Sequence, residues 1–206
     1  PSREPGRAGA RTGARVTGRA DGQTGPVTVV WAGAPTELGL LTVARTDRGC
    51  CLVRLDDDPA EAERRLVARL ALAHPGAAAV RDDTALADLL AAAVARIAGD
   101  PTAPAVPLDL VGTPFQRSVW DALLAIPYGE VRTYGQVAAA VGAPRAVRAV
   151  GTACGANPVA LVVPCHRVVP ASGGLGNYGL GVERKRVLLA REGATVTGSP
   201  DHPIGT

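Results

Sequence analysis

Pro101, Pro104 and Pro107 constrain this chain more than any other feature of its sequence. Each lacks a backbone N–H and fixes φ near −65°, so residues 101 to 111 can neither continue a helix nor sit inside a sheet. The stretch is predicted to be an extended linker wrapped on the surface, dividing the chain in two. The expected organisation is a disordered tail over residues 1–26, an N-terminal domain over 27–100, the linker, a second domain over 112–195 and a tail over 196–206. At 206 residues there is ample core for such a protein without metal or disulfides.

Residues 1 to 26 are rich in Gly, Arg, Ala and Thr and lack apolar periodicity, as a tail would. From Val27 onward, Leu40 to Ala44 and Cys50 to Leu55 are β-prone runs flanking Arg45-Thr46-Asp47-Arg48-Gly49, whose Asp and Gly suit a tight hairpin. Asp58-Pro59 starts a helix with Leu66, Leu70 and Ala73 on one face, and a second helix runs from Asp83 or Thr84 to Ala98. Beyond the linker, Thr113-Pro114 caps a helix through Ala125 that buries Phe115, Val119, Leu123 and Ile126. Thr133 to Val141 and Pro144 to Cys154 form two short helices around Gly142-Ala143, the grammar of a helix-turn-helix. Glu183 to Arg191 is the last helix, with Val187 and Leu188 inward. The fold class is α+β: a small N-terminal α/β domain with an antiparallel hairpin, then a mainly helical, winged-helix-like domain.

Aromatic residues make up only 3% of the chain, so the core is expected to consist of small aliphatic side chains. Four cysteines, Cys50, Cys51, Cys154 and Cys165, lack the density of a disulfide scaffold and point to a reducing cytoplasm. No uninterrupted apolar run of about 20 residues and no signal-peptide pattern is present, so no membrane association is expected. The first residue is Pro1, which suggests processing or a piece of a longer polypeptide. Charge is uneven: five Arg face two acids over residues 1–30, eight Arg face twelve acids over 31–111, and nine Lys/Arg face four acids over 112–193. A basic second half suits a polyanion partner, although such imbalance is common.

Chemistry concentrates in Pro164-Cys165-His166-Arg167-Val168, which follows the apolar run Val159 to Val163. A buried strand is expected to deliver a nucleophile there. A thiol of ordinary pKa, ~8.5, is mostly protonated at neutral pH, so a base must assist, and His166 is adjacent. A small buried apolar cysteine is the competing reading. In the second short helix Ala146, Ala149, Gly151 and Ala153 leave little bulk, while Arg145 and Arg148 add charge. A slim helix of this kind can lie on nucleic acid with one arginine entering the base stack, or its small residues can simply permit close packing. The loop from Pro170 to Gly179 has the glycines to wrap a ligand. Glu192, at a helix C-terminus, is unfavourable for the dipole and has another task or is solvated.

Gly112-Thr113-Pro114-Phe115-Gln116-Arg117, Ile126-Pro127-Tyr128-Gly129-Glu130, Arg148-Ala149-Val150-Gly151, Asn157-Pro158 and Pro164-Cys165-His166-Arg167-Val168 together resemble the O6-alkylguanine-DNA alkyltransferases. The match is dense over 112–193 and looser over 36–110. Tyr178 to Lys185 is most similar to the C-terminal half of bacterial Ada-type proteins. The resemblance implies irreversible, single-turnover transfer of an alkyl group from O6-alkylguanine, and from O4-alkylthymine, to Cys165. It assigns His166 to take the thiol proton through a water, Glu192 to polarise His166, and Asn157 to brace the turn. Tyr134 would meet the guanine N3 edge, the Gly179 N–H would face O6, and the carbonyls of Cys165 and Val168 would accept from the exocyclic amine. Tyr178 and Leu180 belong to the covering loop, where Leu180 replaces a residue that is glycine in many relatives and should narrow the pocket. Arg148 would fill the space of a flipped base, with Ala146, Ala149, Gly151 and Arg145 along the minor groove. The implied partner is double-stranded DNA, the protein acting as a monomer with no obligatory protein partner and no cofactor. Cys50, Cys51 and His74 do not reproduce the zinc ligand set of mammalian relatives, so no metal is expected. A cysteine hydrolase fits less well, since its Cys and His normally lie far apart in sequence. A non-catalytic lesion binder usually carries tryptophan at the position of Cys165. An Ada-like regulator would need sequence before Pro1.

Overall fold

A computed structural model describes residues 27–196 and the backbone of Val16–Thr17. The expected tails over 1–26 and 196–206 thus lie almost wholly outside the described residues. The exceptions are Val196, which ends the described chain, and β1 (Val16–Thr17), which pairs in parallel with β6 (Leu108–Asp109). The N-terminal half is built on one sheet in the order β1-β6-β4-β3-β2-β5. Its centre is the meander β2 (Thr28–Thr36), β3 (Gly39–Thr46) and β4 (Gly49–Asp56), and β5 (Ala78–Arg81) runs parallel to β2. The expected hairpin is therefore β3–β4. β2 escaped the sequence reading because Gly33 and Pro35 interrupt a run that Val29, Val30 and Trp31 otherwise favour.

The register shifts between Ala44 and Arg45, so that Ala44 opposes Leu52 and Arg45 opposes Cys50. The unpaired residue is Cys51, and this bulge sends it with Leu52 to one face while Cys50 goes to the other. On the first face lies α1 (Pro59–Ala73), capped by Asp58 and packing Leu66 and Leu70 on Val29, Ala44, Cys51 and Leu52. Ala73 is only half-buried, and Ala62 joins the apolar face in its place. On the second face α2 (Ala87–Ala98) buries Leu89, Ala93 and Ile97. It starts later than expected, because Asp82 and Asp83 are used in turns and in bonds to Ala85 and Gly33.

The expectation of a surface linker over 101–111 is corrected at its C-terminal end. Leu108, Asp109 and Leu110 are buried, and the Pro107 carbonyl accepts a hydrogen bond from Cys50 N. After Pro107 the backbone regains its N–H groups, and two leucines gain roughly 2 kcal/mol each by leaving water. Gly49, at φ 149°, permits this approach, since a Cβ there would sit 2.6 Å from Pro107 O. Asp109 is satisfied by Thr46 Oγ1 at 2.7 Å and Arg48 Nη2 at 2.9 Å.

The second half begins with α3 (Pro114–Leu124), whose Thr113/Gln116 capping box fixes its start. Its buried side chains are Val119, Trp120 and Leu123, with Ile126 just beyond and Phe115 half-buried. Trp120 takes the central place, donating from Nε1 to Ala153 O at 2.9 Å. A second capping box, Thr133/Gln136, starts α4 (Tyr134–Ala140), and α5 (Val147–Gly155) follows across a turn at Gly142, φ 74°. This is the expected helix pair. β7 (Arg132–Thr133) and β8 (Val168–Val169) form a short parallel ladder, and α6 (Val182–Arg191) closes the fold. Lys185, Leu188 and Leu189 are its buried residues, so the inward place expected for Val187 belongs to its neighbours. The apolar core is continuous between the halves, running from Leu41, Val43 and Val53 to Trp120, Val150 and Val159. No helix among the described residues is long and apolar enough to cross a membrane.

Candidate active site

The expected strand ahead of the nucleophile is corrected to a buried turn. Val159 makes one parallel bridge to Val53 of β4, through Val53 N to Pro158 O at 3.0 Å and Ala160 N to Val53 O at 3.1 Å. The chain then reverses: Val163 N bonds Val159 O, and Leu161 adopts φ 71°, a left-handed conformation that costs a branched side chain about 1 kcal/mol or more. An apolar run of five residues has no periodicity to distinguish a strand from a buried turn. A 3-10 turn over Cys165–Arg167 follows and presents the thiol.

Asn157 holds both ends of this reversal. Its Nδ2 donates to Val163 O at 2.8 Å and to Cys165 Sγ at 3.1 Å, while its Oδ1 accepts from Val159 N at 3.0 Å. Cys165 is 7% exposed. Burial pushes its pKa up, opposed by the Asn157 hydrogen bond and the nearby positive charge of Lys185. The resting group is therefore a thiol that needs a base.

His166 is buried, with Nε2 2.8 Å from Glu192 Oε1 and Nδ1 without a hydrogen-bond partner among the described residues. Burial lowers its pKa, and Glu192 only partly offsets this, so the imidazole is neutral near pH 7. With a Glu192 partner on Nε2–H, Nδ1 is the atom that can take a proton. Burial disfavours the Glu192 carboxylate, but hydrogen bonds from His166 and Arg167 outweigh that and bring its pKa down to about 2. Arg167 donates from Nε at 2.8 Å and Nη2 at 3.0 Å, with Nη1 on Ile126 O at 2.7 Å. The carboxylate at the end of α6 is thus neither solvated nor placed for the helix dipole. Arg167 lies within the Pro164–Val168 motif, but nothing in its sequence context indicates this contact with Glu192.

Lys185 ends the run Tyr178 to Lys185 that carries the Ada-type resemblance, yet its buried place beside the site is not evident from that run alone. It is 0% exposed, and Nζ donates to Val168 O and Leu175 O at 2.6 Å each, joining β8 to the glycine-rich loop. Burial lowers its pKa to about 8. Its helical phase was a usable signal, since Lys185, Leu188, Leu189 and Glu192 share one face. The Val168 carbonyl assigned to the substrate amine therefore already carries one donor.

Cys165 opens into a cavity of 280 Å³ whose lining includes Asn157, Cys154, Tyr178, Gly179 and Leu180. Tyr178 places a buried hydroxyl beside the thiol without a formed hydrogen bond among the described residues. Leu180 is buried, and its carbonyl accepts from Arg184 Nη1 at 2.7 Å. Tyr134, half-buried at the start of α4, faces Gly151, where a Cβ would lie 3.9 Å from its ring. Along the outer side of the helix pair Arg145, Arg148 and Ala149 are exposed, with Ala146 and Gly151 half-exposed. Neither guanidinium forms an ion pair among the described residues, and Arg148 is bonded only through its carbonyl, which accepts from Thr152 Oγ1 at 3.2 Å. Ala153 is the exception to the bare face: it is buried against α3.

The fold and site define a class: a two-part protein in which a helix pair is followed by a turn bearing a buried cysteine and, next to it in the chain, a histidine bonded to a buried carboxylate. A family model described as the DNA binding domain of 6-O-methylguanine DNA methyltransferase matches residues 114–194. A methylated-DNA–protein-cysteine methyltransferase of Mycobacterium tuberculosis is 59% identical over 98 residues, covering 48% of this chain and 59% of that protein. The bifunctional transcriptional activator/DNA repair enzyme Ada of Escherichia coli is 43% identical over 171 residues, covering 81% of this chain and 46% of its own length. The match thus spans about half the length of these curated relatives. Among solved structures, that of M. tuberculosis OGT in complex with DNA superposes with a TM-score of 0.66 at 40% identity, over 80% of this chain and 92% of that one. The chain belongs to the O6-methylguanine-DNA methyltransferase family.

Proposed function

We propose that the protein repairs DNA by moving the alkyl group of O6-alkylguanine onto its own Cys165. The observation that carries this reading is a buried thiol bonded by Asn157 at a cavity large enough for an extruded base, followed in the chain by a histidine whose Nε2 is held by the Arg167-paired Glu192. His166 Nδ1 takes the thiol proton, directly or through a water, and Sγ attacks the alkyl carbon. The S–C bond forms as the C–O6 bond breaks and the electron pair passes to the purine; a hydrogen bond from Tyr134 at the N3 edge stabilises the departing guanine, which takes up the proton that the imidazolium returns through solvent. Glu192 stabilises the imidazolium formed in the step, and its own ionisation is secured by Arg167. The product thioether has no route back, so each molecule reacts once.

Access requires the base to leave the stack, at a cost of a few kcal/mol. The exposed Arg148 is the candidate to occupy the vacated space, and the small residues Ala149 and Gly151 let α5 approach a narrow groove. The M. tuberculosis relative solved with DNA supports a DNA partner. Incubation with duplex containing O6-methylguanine should add one methyl group per chain, on the peptide that carries Cys165. No mass change, or a label on Cys50, Cys51 or Cys154, would remove the proposal.

A further inference from the structure

The Cys165 cavity has a second wall, contributed by β4 and α1, that bears Arg54, Arg65 and Arg69. Arg54 and Arg65 both bind the buried Asp56, at 3.1 Å and 2.9 Å, and Arg65 shares Glu61 with Arg64. Of four guanidiniums here, three share two carboxylates. Arg69 is the one left over: it donates to the Ala156 carbonyl, and no carboxylate pairs with it among the described residues. Burial, and then the positive charge of Arg54, push its pKa down. A guanidinium held partly out of water beside a like charge gains from an anion, and Arg69 spends one of its five N–H donors on Ala156.

A strand that extrudes one nucleotide keeps a phosphate on each side of it. Those phosphates stay at the mouth of the cavity that receives the base. We infer that Arg69, with Arg54 beside it, binds a backbone phosphate of the strand whose base enters the Cys165 cavity. The N-terminal half then holds DNA directly, in addition to α5, and Arg69 ties that phosphate to the end of α5 through Ala156. The inference rests on the alkyl-transfer reading of Cys165.

The test measures binding to duplex containing O6-methylguanine over a salt series, in a Cys165→Ser background so that no transfer intervenes. Arg69→Gln removes the charge and keeps an amide donor for Ala156, whereas Arg69→Lys keeps the charge. The slope of log affinity against log salt should become shallower by about 1 in Arg69→Gln and return in Arg69→Lys. An unchanged slope in Arg69→Gln, or a loss that lysine does not restore, overturns the inference and leaves Arg69 as a cap for α5. A background protein that binds alkylated and unmodified duplex equally at every salt concentration brings down the DNA-repair reading, and this inference with it.

Discussion

Cys165 and the adjacent pair Cys50 and Cys51 are all buried, yet their surroundings give them opposite fates. Desolvation raises the pKa of each: Cys51 reaches about 12, with Asp109 adding to the effect, and Cys50 is pushed further, with Cys51 adding to it. Cys50 finds only the Leu52 carbonyl at 3.5 Å, within apolar core. Cys165 has an amide donor on sulfur, a neutral imidazole as its neighbour in sequence, a buried ammonium nearby and a cavity in front. Burial alone makes a thiol inert. What makes one reactive is a polar shell that survives burial because every member is held by another.

The largest expected effect separates the two regions outright. Cys165→Ser should abolish methyl transfer while the protein remains folded, whereas Cys50→Ala should keep transfer and lower the melting temperature through a small cavity. Loss of transfer in folded Cys50→Ala protein would break the contrast. A middle-sized effect tests the shape of the reactive cavity. Leu180→Gly should raise the rate with O6-benzylguanine relative to O6-methylguanine by about 10-fold to 200-fold, since one pocket contact is worth roughly 1–3 kcal/mol. An unchanged ratio would mean that the Leu180 side chain does not limit the alkyl group.

The smallest effect is on stability, and it runs in opposite directions for the two regions. Glu192 has a folded pKa of about 2, below its unfolded value of ~4.3, so its contribution is present above that value and lost as pH falls toward 2. His166, held neutral by burial, adds to the loss below ~6.5. Cys51 has a raised folded pKa, so its contribution is present below ~8.5 and lost as pH rises toward about 12. In urea melts, Glu192→Gln should flatten the acid limb and Cys51→Ala the alkaline limb. An acid limb that Glu192→Gln leaves unaltered would show that Glu192 contributes no linkage.

Local chemistry was legible in the sequence. The caps at Thr113 and Thr133, the β3–β4 hairpin, the helix pair and the Cys165-His166 adjacency are each set within one turn of chain, by side-chain hydrogen bonds and glycine or proline dihedrals. Family resemblance assigned Asn157 and Glu192 to one site; in the fold Asn157 bonds Cys165 Sγ and Glu192 bonds His166 Nε2. Tertiary structure alone decided the rest. Whether Val159–Val163 is a strand or a reversal depends on Val53 offering it a single bridge. Leu108–Asp109 becomes a strand because the edge of β4 lies beside it. Arg69 reaches Ala156 across 87 positions, and His166 meets Glu192 across 26. The reason is physical: propensity and capping act over a few residues, whereas the desolvation that tunes Cys165, His166 and Lys185 is summed over every segment packed around them.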